Sequence, residues 1–324
     1  MIDGEPRRTV RVRRGPTPYP EARHMNDQPV VAAVDGSPDG LRALEWALDA
    51  ARRHGTTLRV LHVRTAPPRI RQDARDTGPP AADDDPVLIQ ARARVDALGG
   101  IPSVEYVVTE GAPGALLPET GAEARLLVLG SRGRGGFASL LLGSNSLAAA
   151  RDAGCPVVVV PRPGRGGEEE TREHGDGPVV VGVSAEGPDT ATLGFAFAEA
   201  AARGTALRVV TAYPWPLQTV LLPGEVPPAQ ADQEALEHET RVLADGLLAP
   251  YRERHPEVAA EVVALPGDAA GHLVGASWDA SLVVVGRHRR RLFAPARMMG
   301  SVTQAVLLHA HSPVAVVPPA PAEE

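Results

Sequence analysis

A chain of 324 residues, 43% apolar and 23% charged, has room for two globular domains, each long enough to bury a core. Its formal net charge of −7 argues against a body that binds nucleic acid by electrostatics, and its single cysteine, Cys155, excludes an intrachain disulfide framework and a cysteine-based zinc cluster. Lysine is absent, which removes a P-loop of the G-x-x-x-x-G-K-[ST] type, a Schiff-base lysine and the kinase strand lysine, and no apolar run approaches the roughly 18 residues of a membrane span.

Residues 1–27 carry Arg7, Arg8, Arg11, Arg13 and Arg14 among prolines, without apolar periodicity. They predict a disordered basic tail. No apolar stretch of the secretory kind accompanies these arginines, so the expected location is cytoplasmic.

From Pro29 the pattern sharpens. Val30 to Val34 is a short apolar run, followed by Asp35-Gly36-Ser37-Pro38-Asp39-Gly40. Leu41, Leu44, Leu48 and Ala51 then recur at helical spacing, Gly55 ends the helix, and Leu58 to Val63 reads as a second strand. Strand, helix, strand in this order is a βαβ unit. Its strands are apolar throughout, as in a parallel sheet covered on both faces. Later strands are predicted near Val104–Val108, Leu126–Leu129 and Val157–Val160, and helices near Pro86–Leu98, Pro113–Gly121 and Ser144–Ala153.

The unit recurs 149 residues later, where Pro178–Val209 repeats Pro29–Val60 with twelve identities. Gly111, Leu117, Ala124, Leu126, Val128 and Gly130 recur as Gly267, Leu273, Ala280, Leu282, Val284 and Gly286. In the second copy, strands are predicted near Glu261–Leu265, Leu282–Val285 and Val314–Val317. The domains are therefore read as 28–163 and 177–319, joined by a linker at 164–176. Long Pro-rich loops, Ala66–Pro86 and Tyr213–Pro228, follow the second strand of each copy.

The segment that carries chemistry is Gly130-Ser131-Arg132-Gly133-Arg134-Gly135-Gly136, continuing to Gly143-Ser144-Asn145. Its glycines have the spacing G-x2-G-x9-G-S. A glycine-rich turn lets backbone N–H groups approach phosphate oxygens with no Cβ in the way. Gly143-Ser144 opens a helix, whose N-terminal N–H groups and dipole favour an anion. Ser144 can cap that helix and also donate to a phosphate, while Arg132 and Arg134 add positive charge.

Each copy resembles a universal stress protein domain of the UspA type, and the whole resembles the tandem form common in actinobacteria. Besides the glycine motif, the resemblance rests on Ala32-Ala33-Val34-Asp35-Gly36-Ser37, on Gly111, Pro113 and Leu117, and on Cys155–Pro161. It implies an α/β fold of two tandem open-sheet domains, each a five-stranded parallel sheet of order 3-2-1-4-5 with helices on both faces. It also implies ATP at the switch point between the first and fourth strands. Asp35 would lie by the nucleotide. Ala33 and Val63 would border the adenine, and Leu129, Gly130 and Gly133 would meet ribose and phosphates. Gly143, Ser144 and Asn145 would hold the phosphate tail, with Mg²⁺ bridging phosphate oxygens.

The second copy departs from this pattern. Ser184 stands for Asp35, Arg289 for Gly133, and the spacing to Gly300-Ser301 is one residue longer. The run of Arg287, Arg289, Arg290 and Arg291 is expected to be a solvated loop, and this copy to bind ATP weakly or not at all. Cys155 is expected to be a small buried hydrophobe. Trp46 and Phe195, at equivalent helix positions, are expected in the core, as are Leu236, Val242, Leu243 and Leu247. The histidines show no metal-binding spacing, and His309 and His311 would diverge on a helix.

The function this implies is an ATP-binding regulator of a stress response, acting through protein partners the sequence does not name. A slow ATP hydrolase or adenylate-forming enzyme on the related fold is the alternative. No H-x-G-H occurs, and no base to activate water stands out, so a dedicated enzyme is not expected. The short apolar last strands, Val157–Val160 and Val314–Val317, are expected to cover one another in an intrachain pseudo-dimer. Association of two chains into a homodimer stays open.

Overall fold

The computed structural model describes residues 28–65, 82–99, 103–134, 141–163, 177–185, 187, 189–214, 230–287 and 299–320. The basic tail, the linker, most of both Pro-rich loops, Gly135 and Gly136, and Arg289 to Arg291 lie outside these residues. The chain divides into two compact units at Arg162 and Pro163.

The first unit runs β1 (Val30–Ala33), α1 (Pro38–Arg53), β2 (Leu58–Arg64), α2 (Pro86–Leu98), β3 (Val104–Glu110), α3 (Pro113–Thr120), β4 (Leu126–Gly130), α4 (Ser144–Asp152) and β5 (Val157–Val160). Its strands lie in the order β3-β2-β1-β4-β5. Every pairing in it is parallel, with Val30 opposite both Leu58 and Leu126. This is the order 3-2-1-4-5 implied by the resemblance.

Parallel strands need helical crossovers, and helices on both faces explain why β1, β4 and β5 are nearly solid Val, Leu and Ala. The helix starts are written locally. Ser37 caps α1, its hydroxyl accepting the Gly40 N–H at 3.0 Å, and Pro38 fills the first helical position. Asp39 in the first turn and Arg52 and Arg53 in the last suit the helix dipole. Asp85 caps α2 in the same way, accepting from the N–H groups of Val87 and Leu88. Ala43, Leu44, Ala47, Leu48 and Ala51 form the buried stripe of α1.

The second unit runs β6 (Val179–Val183), α5 (Thr190–Arg203), β7 (Leu207–Tyr213), α6 (Gln230–Arg254), β8 (Ala260–Pro266), α7 (Ala269–Ala276), β9 (Leu282–Gly286), α8 (Ser301–His309) and β10 (Val314–Val317). Its strand order, β8-β7-β6-β9-β10, is the same topology, again parallel throughout. One local difference matters later. In the register that pairs Pro29 with Pro178, the α5 cap Asp189 stands where Gly40 stands, so α5 begins about one turn later than α1.

Several expectations about the core need correction. Trp46 and Phe195 are half-buried, and the Arg53 guanidinium lies 5.7 Å from the Trp46 ring centre. The fully buried aromatic of α5 is Phe197, stacked on Tyr251 at 5.4 Å. On α6 the buried positions are Ala244, Leu248 and Tyr251, spaced i, i+4, i+7. Val242 and Leu243 are therefore turned outward, 55% and 50% exposed, and Leu236 and Leu247 are only half-buried. This stripe packs on β7, β8 and α5, and the leucines beside it fall at its margins or outside it. Cys155 is buried as expected, against Gly121. His311 lies past the end of α8, stacked on Trp278 with centroids 3.5 Å apart.

Candidate functional site

The C-terminal ends of β1 and β4 in the first unit bring together residues far apart in sequence. Asp35 follows β1. Its Oδ1 accepts from the Ser37 N–H at 3.0 Å and from the Ser37 hydroxyl at 2.6 Å. Its Oδ2 accepts from the Arg134 N–H at 2.9 Å. The glycine loop is thus fastened across the end of β1. A Cβ on Gly133 would lie 2.5 Å from Asp35 Oδ2, so the approach needs a glycine. Gly36 between these groups has φ +76°, and the Arg134 guanidinium packs where its Cβ would be.

Gly130, the last residue of β4, rests on the main chain of Asp39, where a Cβ would meet the Asp39 carbonyl at 2.6 Å. The Asp39 carboxylate, 2% exposed, pairs with Arg42, lies 3.6 Å from Arg162 Nε and accepts from the Ser131 hydroxyl at 3.4 Å. On the α4 side, the Gly143 N–H donates to the Ser131 carbonyl at 2.8 Å, closing the loop's two ends on each other. Gly143 caps α4 and supplies no side-chain oxygen to the first-turn N–H groups. Ser144 and Asn145, both exposed, begin that turn, and Asn145 Oδ1 stands 3.6 Å from a Cβ position on Gly114 of α3. Arg132 is half-buried and Gly133 and Arg134 are exposed. Leu129 is buried in β4, and Ala33 and Val63 are half-buried at the ends of β1 and β2.

Two features of this rim escape a reading by motif. Ser131 is fully buried and fixes the loop's start, its N–H donating to the Val160 carbonyl at 2.8 Å. Ser146 donates to the Gly130 carbonyl at 2.7 Å. The signal for Ser146 lies in the repeat: Thr303 occupies the same place after Gly300-Ser301 and donates to the Gly286 carbonyl at 2.9 Å.

The second unit builds its rim differently. Because α5 starts late, the cap Asp189 comes up beside Gly286, with Asp189 Oδ2 at 2.6 Å and Thr192 Oγ1 at 2.7 Å from a Cβ position there. Asp189 Oδ2 is held by the Thr192 hydroxyl at 2.8 Å. Ser184, the counterpart of Asp35, is exposed. The departures at Arg289, Arg290 and Arg291 lie outside the described residues. Among the described residues no group of three or more His, Cys, Asp or Glu is arranged to hold a metal ion, and no helix is long and apolar enough to cross a membrane.

A doubly wound parallel sheet built twice, with a glycine loop running from the fourth strand to a helix N-terminus in the first unit, defines the class of protein: a tandem of open α/β units. The chain belongs to the universal stress protein family, which matches residues 28–161 and 177–318. It is 33% identical over 295 residues to a universal stress protein of Mycobacterium tuberculosis, covering 89% of this chain and 96% of that one. A universal stress protein of Mycolicibacterium smegmatis is 30% identical over 302 residues, covering 90% and 97%. Among solved structures, a universal stress protein from Archaeoglobus fulgidus shares the fold with a TM-score of 0.57 at 18% identity, covering 91% of this chain and 98% of that one.

Proposed function

We propose that the first unit binds ATP at the ends of β1 and β4 and that the protein is a cytoplasmic, nucleotide-dependent regulator of a stress response. The observation that carries this reading is the glycine loop. It leaves β4 at Gly130, passes Gly133 with no room for a side chain, and ends at the Gly143 cap of α4. Ala33 and Val63, half-buried at the ends of β1 and β2, supply apolar surface suited to a base. Gly130 and Gly133 allow a close approach to ribose and phosphates. The first turn of α4, with Ser144 and Asn145, suits the phosphate tail, and Arg132 and Arg134 offset its charge.

These residues fit a nucleoside triphosphate. They fit a tightly held metal less well, because the nearby Asp35 carboxylate is already engaged by Ser37 and Arg134. Mg²⁺ would be carried by the phosphate oxygens. Regulation would then follow from a nucleotide-dependent surface offered to a protein partner.

Isothermal titration of ATP into the wild type and Gly133→Glu tests the site. The glutamate adds a side chain and a negative charge where there is room for neither, so binding should be lost. Equal affinity in the two proteins overturns the assignment. Mass spectrometry of nucleotide co-purifying with the chain gives the base and the phosphate count.

A further inference from the structure

We propose a second binding site, for a small zwitterion of the amino-acid class, at the N-terminal ends of β7 and β8 in the second unit. It lies at the opposite end of the strands from the rim described above and is independent of the nucleotide reading.

Three observations carry it. First, one set of charged residues recurs in both copies and pairs differently. Arg59 of β2, Glu105 of β3 and Glu123 recur as Arg208 of β7, Glu261 of β8 and Asp279. Arg59 stands in register beside Glu105, and Arg208 beside Glu261. In the first unit Arg59 Nε and Nη2 each lie 2.9 Å from Glu105 Oε2, while Nη1 is 3.8 Å from Glu123. In the second unit the guanidinium turns the other way, and its Nη1 donates to both carboxylate oxygens of Asp279 at 3.2 Å. Among the described residues, the exposed Glu261 carboxylate and the Nε and Nη2 groups of Arg208 are left without a partner.

Second, the broken pair borders open space. A cavity of about 530 Å³ opens here, and the charged residues of its wall are Arg208 and Glu261. That volume is in the range of small-molecule sites. Third, Pro178, Ala206, Ala259 and Ala260 make the neighbouring wall small and apolar, so it asks for no further charge.

A carboxylate and a guanidinium that share a cavity and are not spent on each other match a ligand carrying both charges. Its ammonium group would take Glu261. Its carboxylate would take Arg208 Nε and Nη2, the edge of the guanidinium that binds a carboxylate through two parallel bonds. A singly charged ligand would satisfy one of the two groups and leave the other unmet. The apolar wall suits a short aliphatic side chain. In the first unit the Arg59–Glu105 pair already occupies these groups.

The test uses the full chain and three probes: L-valine, isobutylamine, which is valine without its carboxylate, and isovalerate, which is valine without its ammonium group. Saturation-transfer NMR measures each. L-Valine should bind at least about tenfold tighter than either singly charged probe. Glu261→Gln should weaken valine about tenfold and leave isovalerate unchanged, and Arg208→Gln should weaken both. Glu105→Gln, at the matching place in the first unit, should leave valine binding as it is. The comparison of probes on the wild type decides without any variant. No saturation transfer to valine at millimolar concentration, equal binding of the three probes, or undiminished valine binding in Glu261→Gln overturns the proposal. Loss of valine binding in Glu105→Gln overturns it too, by moving the site to the first unit.

Discussion

His62 Nδ1 lies 2.9 and 3.0 Å from the two carboxylate oxygens of Asp85, the residue that caps α2. The carboxylate is 1% exposed, and Arg64 Nε stands 3.8 Å from its other side. One buried group therefore starts a helix and ties it to the end of β2.

Asp85→Ala should be among the most damaging single changes in the first unit. It removes a cap and leaves His62 without its partner. The expected loss is about 2–3 kcal/mol, combining a cap near 1 with an abandoned buried hydrogen-bonding group. Chemical denaturation of Asp85→Ala, His62→Ala and the double variant gives the coupling. A cycle energy near zero would mean that the two residues contribute independently.

Ser146→Ala and Thr303→Val separate structure from binding. Each removes a hydroxyl that donates to the carbonyl ending β4 or β9. Both should cost about 1 kcal/mol of stability. Only Ser146→Ala should also weaken ATP, because only the first unit is read as having a complete loop. Equal effects of both variants on titrations would place a site in each unit.

The stoichiometry of ATP should be about one per chain. The second unit lacks the carboxylate at Ser184 and presents Asp189 against Gly286 instead. Two equivalent sites by isothermal titration would show that neither change matters.

The outward face of α6 is a test of the corrected helix orientation. Val242→Ser and Leu243→Ser should leave stability within about 0.5 kcal/mol, whereas Leu248→Ala should cost about 2–5 kcal/mol. Comparable losses at Leu243 and Leu248 would return Leu243 to the core.

The fold was legible because its signals are redundant. Apolar strands, capped helices such as Ser37-Pro38, and a repeat that states each element twice all agree. The face of α6 was not legible, because several of its turns carry an apolar residue on more than one side. The strands β7 and β8 and the helix α5 that lie against α6 select among them. The glycine loop was legible as a motif, but its fastening was not. That Asp35 reaches Arg134 depends on β1 and β4 being neighbours, and Asp39 under Gly130 depends on how α1 crosses the sheet. The Ser146 contact could have been found, since Thr303 preserves a hydroxyl at the matching place.

The late start of α5 bears on what a single substitution can restore. Restoring an aspartate at Ser184 would not recover the first unit's geometry, because the helix that should receive it, through Ser37 and Gly40, begins a turn further on. Arg289 would also have to return to glycine, and the loop to lose its extra residue. A single substitution at Ser184 is therefore expected to leave the second unit's affinity for ATP unchanged.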